Sequence, residues 1–266
     1  MTGWGFTMSD ARALLSFDLE EFDLPTEFGR ALPEPEQIEV ALVGLRRLKA
    51  LLADRKIVST FFSTAVFAMN APEEVREVGR SHEIASHGYA HTGFSASDPE
   101  RSKEVLEKIT GKPVFGYRSP RFRPVPDDLL QKAGYLYNSS ENPTFLPGRY
   151  CRVFAPRRAY RKGSLLQIPV SVSPWIRFPF FWLAFKNTPA PLFRTAAVWT
   201  LAESRYLHLV FHPWEFADLG GYGLPRWIAS PCGQELLDRL ASFLDWLGAR
   251  ARFTTLADFS AAFLAQ

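Results

Sequence analysis

Apolar residues along the chain recur with two different spacings, which predict helices and strands in alternation. Between Glu34 and Asp54, isoleucine and leucine return every three or four residues, the spacing of one face of an amphipathic helix. Short apolar runs such as ALLSF at 13–17 have the length of buried strands. The pattern predicts strands at 13–17, 59–63, 83–86, 114–117, 165–170, 207–211 and 253–254, and helices at 34–54, 73–80, 99–110, 126–133, 234–250 and 256–264.

The alternation of strands and helices predicts an α/β fold with a mostly parallel sheet. Four of the predicted strands run into a polar residue that can take part in chemistry: Asp18, His87, Arg118 and His212. In a parallel barrel the carboxyl ends of all strands meet at one rim, where active sites are found. The convergence of these four residues therefore indicates an enzyme.

Length and charge limit the functional classes. A chain of 266 residues with 47% hydrophobic and 22% charged residues is typical of a globular protein, and we expect one domain, 1–266. A net charge of +3 is too small to indicate nucleic-acid binding. Cys151 and Cys232 form neither a metal-type pair nor a disulfide framework. Residues 1–10 have no basic run followed by an apolar stretch, so we expect a cytoplasmic location.

Two histidines and a nearby acidic group have the composition of a hydrolytic metal site. His87 and His91 are four residues apart, which would place both imidazoles on one side of a helical turn. The acidic residues Asp18, Glu20 and Glu21 follow a predicted strand and supply a third ligand type. A structural histidine pair beside a solvated acidic loop explains the same residues equally well, and His82 and His208 are expected to be structural.

Four segments occur in a characteristic order: STFFS at 59–63, HEIASHGYAH at 82–91, GYRSPRFRP at 116–124 and LHLVFHPWEF at 207–216. Together they resemble the polysaccharide deacetylase (NodB-homology) family, carbohydrate esterase family 4. The FDLEEF and HPWEF segments are similar to a cytoplasmic branch linked to exopolysaccharide and glycolipid loci. The resemblance covers a core of about 13–259. It implies an α/β fold, a distorted parallel (β/α) barrel of about seven strands.

The resemblance implies a role for individual residues. Asp18 matches the family's catalytic base, and His87 and His91 match its metal ligands. The family's usual second aspartate falls on Leu19, so the metal-binding carboxylate is expected to be Glu20, with Glu21 as the alternate. One divalent transition metal is implied, zinc first, with nickel, cobalt, manganese or iron also suited to such ligands.

The remaining motifs imply positioning and proton-donating residues. Arg118 and Arg123 match the arginine motif, and Arg118 would hold the base in place. His212 would donate a proton to the leaving amine. Asn138 stands where the family usually has an aspartate, so any rise in the pKa of His212 must come from elsewhere, and Glu215 is a candidate. Arg123, Trp214 and Tyr89 are expected to contact the substrate.

The implied activity is hydrolysis of an N-acetyl or N-formyl group from an amino sugar in a polysaccharide or lipid-linked glycan. Two alternatives stay open: an amidase of the same fold that acts on a small non-sugar amide, and a pseudo-deacetylase that only binds carbohydrate. Leu19 and Asn138 keep the second alternative open.

The segment 175–199 contains the densest group of aromatic residues in the chain. Four basic residues precede it: Arg157, Arg158, Arg161 and Lys162. Aromatic residues beside basic ones suit a membrane interface, so peripheral contact with the inner membrane face is one interpretation. The other is a segment that packs over the barrel mouth or forms a contact within a homo-oligomer. Prolines interrupt the segment, so it cannot be a spanning helix.

Overall fold

The computed structural model describes residues 11–147 and 149–265, and in them a curled, mostly parallel sheet forms the centre of the fold. Residues 1–10, on which the expectation about a signal peptide rests, lie outside the described residues. The strands are β1 (Arg12–Leu19), β2 (Thr60–Ser63), β3 (Glu83–Ser86), β4 (Gly116–Tyr117), β5 (Tyr137–Asn138), β6 (Phe145–Leu146), β7 (Tyr150–Cys151), β8 (Tyr160–Lys162), β9 (Leu165–Gln167), β10 (Tyr206–Phe211) and β11 (Arg252–Thr254).

Neighbouring strands in the main sheet follow the order β10-β1-β2-β3-β4-β5-β9-β8, and β11 pairs with β1. All of these pairs are parallel except β8 with β9. The predicted α/β class and parallel sheet are confirmed, and each predicted strand is present. The strands β5 to β8 have only two or three residues, which is too short to leave a hydrophobic period in the sequence.

Helices cover the outer surface of the sheet. They are α1 (Glu34–Asp54), α2 (Ala65–Asn70), α3 (Pro72–Ser81), α4 (Asp98–Thr110), α5 (Asp127–Lys132), α6 (Trp182–Asn187), α7 (Ala190–Ser204), α8 (Arg226–Ala229), α9 (Gly233–Gly248) and α10 (Leu256–Leu264). Short 3-10 helices lie at Leu24–Phe28, Pro120–Phe122 and Pro213–Phe216. Helix α7 was not predicted because prolines surround its start. Pro189 caps the helix and Pro191 lies in its first turn, where proline is tolerated.

Alternation along β1 separates two apolar layers. Leu15 and Phe17 belong to the large core beneath the helices, whereas Leu14 packs with Phe62 and Tyr137 inside the curl of the sheet. Side chains two residues apart lie on the same face of a strand. Ser16, Asp18 and Glu20 therefore continue the inner row that Leu14 begins, toward the carboxyl ends of the strands.

The aromatic segment predicted at 175–199 bridges the open side of the sheet. The Ser171 amide donates to the His208 carbonyl oxygen at 3.2 Å, and Phe181 forms a bridge with Val210 of β10. Most of the aromatic side chains pack inward: Phe180, Phe181, Phe185 and Phe193 are buried. Trp175 and Trp199 stay exposed. In the part of the chain that is described, no helix combines the length and apolarity needed to cross a bilayer.

Helix α1 crosses the Pro213–Phe216 turn at a glycine. A Cβ atom on Gly44 would lie 1.7 Å from the Pro213 carbonyl oxygen, far inside van der Waals contact. Glycine is therefore required for this close approach, which holds the turn directly after His212 against the helix.

Candidate metal centre and active site

Strand register brings four predicted residues to one rim of the sheet. Phe17 of β1 pairs with Phe211 of β10, so Asp18 and His212 follow at the same level. Ser63 of β2 pairs with Ser86 of β3, which in turn pairs with Tyr117 of β4. His87 and Arg118 are the next residues on β3 and β4. The rim therefore assembles Asp18, His87, Arg118 and His212, which are up to 194 positions apart in the chain.

Glu20, His87 and His91 form a group that can hold a metal ion. Their ligand atoms all lie within 4.8 Å of one another, and all three residues are buried. Oε2 of Glu20 lies 2.9 Å from Nε2 of His87 and 3.1 Å from Nε2 of His91. The prediction that the two histidines share a helical turn is wrong: they lie in an irregular loop after β3, in which Gly88 has a φ of 80°. The positive φ of this glycine turns the loop so that both rings face Glu20.

The Nδ1 atoms of His87 and His91, on the side of each ring away from Glu20, donate to separate partners. Nδ1 of His87 donates to the Arg118 carbonyl oxygen at 3.0 Å, and Nδ1 of His91 donates to Oδ1 of Asp23 at 2.7 Å. These bonds leave both Nε2 atoms as lone-pair donors directed at the same point, which is the usual arrangement of metal-binding histidines. Two imidazoles and one carboxylate suit a divalent transition metal, so the residues present fit the implied cofactor.

The structure distinguishes Glu20 from Glu21. Asp18 and Glu20 are two residues apart at the end of β1 and face the centre, whereas the Leu19 side chain is fully buried in the core beneath the helices. Glu21 instead accepts hydrogen bonds from the Thr64 hydroxyl at 2.5 Å and from the His91 amide. Burial raises the pKa of Glu20, but His91, His212 and His87 outweigh this effect and hold the pKa well below its usual range.

Arg118 fixes the orientation of Asp18. Its guanidinium is fully buried and donates to Oδ1 of Asp18 at 2.6 Å. The other oxygen, Oδ2, lies 3.9 Å from Nε2 of both His87 and His212, so it faces the space between them. Further donors of Arg118 bind the hydroxyls of Ser16 and Ser139, each at 3.0 Å. One edge of the Asp18 carboxylate is thus held, and the other is free to accept a proton.

His208 is a neutral support for Arg118. Its Nδ1 donates to the Pro169 carbonyl oxygen at 3.1 Å, so Nε2 accepts from Arg118 at 2.9 Å. Burial and the neighbouring guanidinium hold the pKa of His208 well below its usual range. This agrees with the expectation that His208 has a structural role.

His212 lies across the centre from the group of Glu20, His87 and His91. Its Nε2 is 3.9 Å from Oδ2 of Asp18 and 3.7 Å from Oε1 of Glu20. Its Nδ1 and backbone amide both donate to Oε1 of Glu215, at 3.2 and 2.7 Å. Burial lowers the pKa of His212, but the charges of Glu20 and Glu215 outweigh burial, and the pKa is raised. Glu215 is buried and lies 3.7 Å from Nζ of Lys186, a buried cation that was not predicted from the sequence.

Asn138 has a structural role next to the arginine motif. Its side-chain oxygen accepts from the Ser140 amide and hydroxyl, and its amide donates to Gln167. The Ser140 hydroxyl in turn accepts from the Ser119 amide at 2.8 Å. Asn138 therefore supports the loop that carries Arg118, while Glu215 occupies the position beside His212.

A cavity of about 160 Å³ opens over this centre. Trp214 and Trp182 line it beside His212: the Trp214 ring stacks on the imidazole at 4.8 Å, and Trp182 meets it edge-on at 5.6 Å. Trp214 also donates from its indole nitrogen to Oε1 of Glu20 at 3.2 Å. The rest of the lining is largely apolar, although Glu27, Arg121, Arg149 and Tyr150 also belong to it. Its apolar members are Leu24, Phe28, Phe122, Leu146, Pro147, Phe181, Leu183, Trp227 and Ile228.

Tyr89 and Arg123 lie outside this cavity. Both line a separate pocket, and the Tyr89 ring is covered by Arg101 at 4.0 Å. From the arginine segment it is Arg121 that reaches the central cavity, where it binds both oxygens of Asp23 at 3.0 and 3.2 Å. Asp23 and Arg121 were not predicted, because neither follows a strand directly and only the folded loops bring them to the site.

Comparison with known proteins agrees with this geometry. Residues 44–136 match the family described as polysaccharide deacetylase. A segment of 111 residues, 37% of this chain, is 33% identical to the "Peptidoglycan deacetylase-like protein FGM2" of Gibberella zeae. The match spans about a third, 32%, of the length of that curated relative.

Solved structures share the fold of this chain along nearly its whole length. A protein assigned as a polysaccharide deacetylase from Mycobacterium smegmatis is similar with a TM-score of 0.66 and 21% identity, covering 100% of this chain and 93% of the other. Puue allantoinase is similar with a TM-score of 0.68 and 18% identity, covering 99% and 93%. At these identities the likeness concerns the fold, and the chemistry must be argued from the site.

Proposed function

We propose that the protein is a metal-dependent N-deacetylase that removes an acetyl or formyl group from an amino sugar. One observation carries the proposal: Glu20, His87 and His91 meet at one point, with Asp18 and His212 directly beside it. A carboxylate base, an imidazole acid and a histidine–carboxylate metal centre together suit metal-dependent amide hydrolysis.

A divalent transition metal ion held by Glu20, His87 and His91 would polarise the acyl carbonyl group and lower the pKa of a water molecule. We propose zinc, and the same ligands also accept nickel, cobalt, manganese or iron. Oδ2 of Asp18 accepts the proton of the water as its oxygen attacks the carbonyl carbon. Nε2 of His212 donates a proton to the amide nitrogen as the carbon–nitrogen bond breaks. The products are a carboxylic acid and a free amine.

Glu215 and Trp214 orient His212, the proposed proton donor. The Glu215 carboxylate binds Nδ1–H of His212, which leaves Nε2 as the proton donor on the side of the cavity. Trp182 and Trp214 flank the imidazole and exclude water from it. Trp182 lines the cavity and stays partly exposed, so it also provides an aromatic surface of the kind on which sugar rings stack, which supports an amino sugar as the substrate.

Metal content and amide hydrolysis, measured on the same samples, test the proposal. We expect about one transition metal ion per wild-type chain and release of acetate from N-acetylglucosamine oligomers. The double variant His87→Ala/His91→Ala is expected to lose both. His82→Gln is the matched control, because His82 binds Ser59 and lies outside the centre.

Wild-type protein that binds neither zinc nor nickel after reconstitution would refute the metal-dependent mechanism and favour a carbohydrate-binding role. Protein that binds metal but hydrolyses only small non-sugar amides would refute the amino-sugar assignment alone.

A further inference from the structure

Exposed apolar side chains surround the mouth of the central cavity. Trp227 and Phe28 line the cavity and are 54% and 38% exposed. Beyond them Trp175 is 85% exposed, Ile176 71% and Phe154 97%. Large apolar side chains at such exposure stabilise nothing within the fold, and a group of them indicates an interaction surface. We call the surface formed by Phe28, Phe145, Phe154, Trp175, Ile176 and Trp227 the mouth face.

Hydrogen bonds connect the members of the mouth face to the cavity wall. The hairpin of β6 and β7 places Leu146 and Tyr150 in the wall, whereas the side chain of the adjacent Phe145 is 58% exposed. The Thr144 hydroxyl donates to the Arg177 carbonyl oxygen at 3.0 Å, next to Trp175 and Ile176.

A second connection reaches Phe154. The Arg177 guanidinium donates to the carbonyl oxygens of Pro143 and Ala155, at 3.1 and 2.9 Å. The tip that carries Trp175 and Ile176, the β6 strand and Phe154 therefore form one continuous patch beside the mouth.

The tip holds its aromatic residue outward in an unfavourable backbone conformation. Trp175 has a φ of 60° and Arg177 a φ of 51°. The left-handed region is disfavoured for bulky residues, and such conformations gather at functional surfaces. Val172 and Pro179 bridge the base of the tip, so the turn is closed by backbone pairing. The fold thus retains a strained turn that presents Trp175 and Ile176 to solvent.

Charge around the mouth face is strongly asymmetric. Between Glu141 and Glu203 there is no aspartate or glutamate, and nine residues are lysine or arginine, although the whole chain carries only +3. Five acids neutralise part of this charge. Glu27 pairs with Arg149, Glu141 with Arg152, Glu203 with both Arg157 and Arg158, Asp127 with Lys162, and Glu215 with Lys186. Arg177 contacts backbone carbonyl groups, and among the described residues no acidic side chain pairs with it. The surroundings of the mouth face therefore carry an excess of positive charge.

We propose that the mouth face docks on the surface of an anionic lipid bilayer. Exposed aromatic and aliphatic residues enter the interface between head groups and acyl chains, and nearby arginines bind anionic head groups. A protein partner would cover the apolar residues as well, but apolar side chains together with an excess of positive charge favour the surface of an anionic bilayer. Docking in this orientation brings the central cavity against the bilayer. The inference goes beyond the proposed reaction and does not depend on it.

Flotation with lipid vesicles tests the docking without any substrate. Full-length protein is mixed with vesicles of phosphatidylcholine alone or of phosphatidylcholine and phosphatidylglycerol in equal parts. We expect binding to the anionic vesicles and much weaker binding to the zwitterionic ones. Trp175→Asn/Ile176→Ser should lower the partition coefficient at least about tenfold, since two apolar side chains leave the interface and asparagine tolerates a positive φ.

Phe115→Ser/Leu136→Ser is the matched control. These residues are also exposed, at 38% and 47%, but they precede β4 and β5 at the opposite end of the sheet, so wild-type binding is expected. Asp18→Asn should also bind vesicles like the wild type while it loses hydrolysis, which separates the docking from the reaction.

Wild-type protein that stays unbound with anionic vesicles would overturn the proposal, as would equal losses in the tip variant and the control. A dimer that forms in solution and is abolished by the tip variant, without vesicle binding, would assign the face to a second copy of the chain instead. Circular dichroism on each variant establishes that the fold is retained.

Discussion

The hydrogen bond between Asp23 and His91 offers a sharp test of the metal centre. Oδ1 of Asp23 lies 2.7 Å from Nδ1 of His91, whose Nε2 points at Glu20. Loss of such a partner typically costs 10- to 100-fold in metal affinity, about 1.4 to 2.7 kcal/mol. We expect Asp23→Ala to approach the upper figure, because the ring then loses both its orientation and its tautomeric preference. Asp23→Asn, which can still accept the bond, should lie near the lower figure.

The assay is competition for zinc against a chromophoric chelator, with the free energy of unfolding measured in parallel. Glu27→Gln is the control, since Glu27 also pairs with Arg121, at 3.4 Å, and its loss removes one negative charge from the same region without touching His91. Unchanged zinc affinity in Asp23→Ala, or equal losses in Asp23→Ala and Glu27→Gln, would show that the bond does not orient a metal ligand.

Three further perturbations follow from contacts in the structure. Gly44→Ala should lower the free energy of unfolding by about 2 kcal/mol in urea titrations, because its Cβ would meet backbone at Pro213, whereas Gly79→Ala, with nothing nearer than 3.4 Å, should be neutral or stabilising. His208 is neutral in the folded protein, whereas in the unfolded chain it takes up a proton below its ordinary pKa of 6.5. The free energy of unfolding should therefore fall as the pH decreases from 7 to 5, by up to about 1.4 kcal/mol per pH unit. His208→Gln should remove that part of the slope, and an unchanged slope would contradict a neutral His208. Arg118→Lys should lower kcat and cost about 3 kcal/mol of stability, as a lysine cannot bind Asp18, Ser16 and Ser139 together; a variant with wild-type kcat would show that Arg118 does not orient the base.

The sequence by itself determined seven of the strands, six of the helices and the polar residues that follow four of the strands. Buried parallel strands need continuous apolar runs, and amphipathic helices need a period near 3.6, so both leave a pattern in the chain. The polar residue after each run marks the rim, which is why Asp18, His87, Arg118 and His212 could be named in advance. The α/β class was accessible for the same reason. The resemblance to the polysaccharide deacetylase family rested on four short motifs in order, and the roles of these residues stay predictions.

Tertiary structure decided what the loops do. Glu20 and Glu21 are adjacent glutamates, so the sequence alone does not distinguish them as metal ligands. Side chains alternate in direction at the end of β1, which turns Glu20 toward the histidines and Glu21 toward Thr64. Arg121 rather than Arg123 reaches the central cavity because of the turn at Pro120–Phe122, where Arg121 has a φ of 55°.

Only the tertiary structure also revealed the positions of Asp23, Lys186 and the tip at Trp175. Each lies in an irregular segment or a short helix, where side-chain direction depends on contacts with distant parts of the chain. Such contacts carry no period along the sequence, since they arise only when loops from different strands meet at the rim.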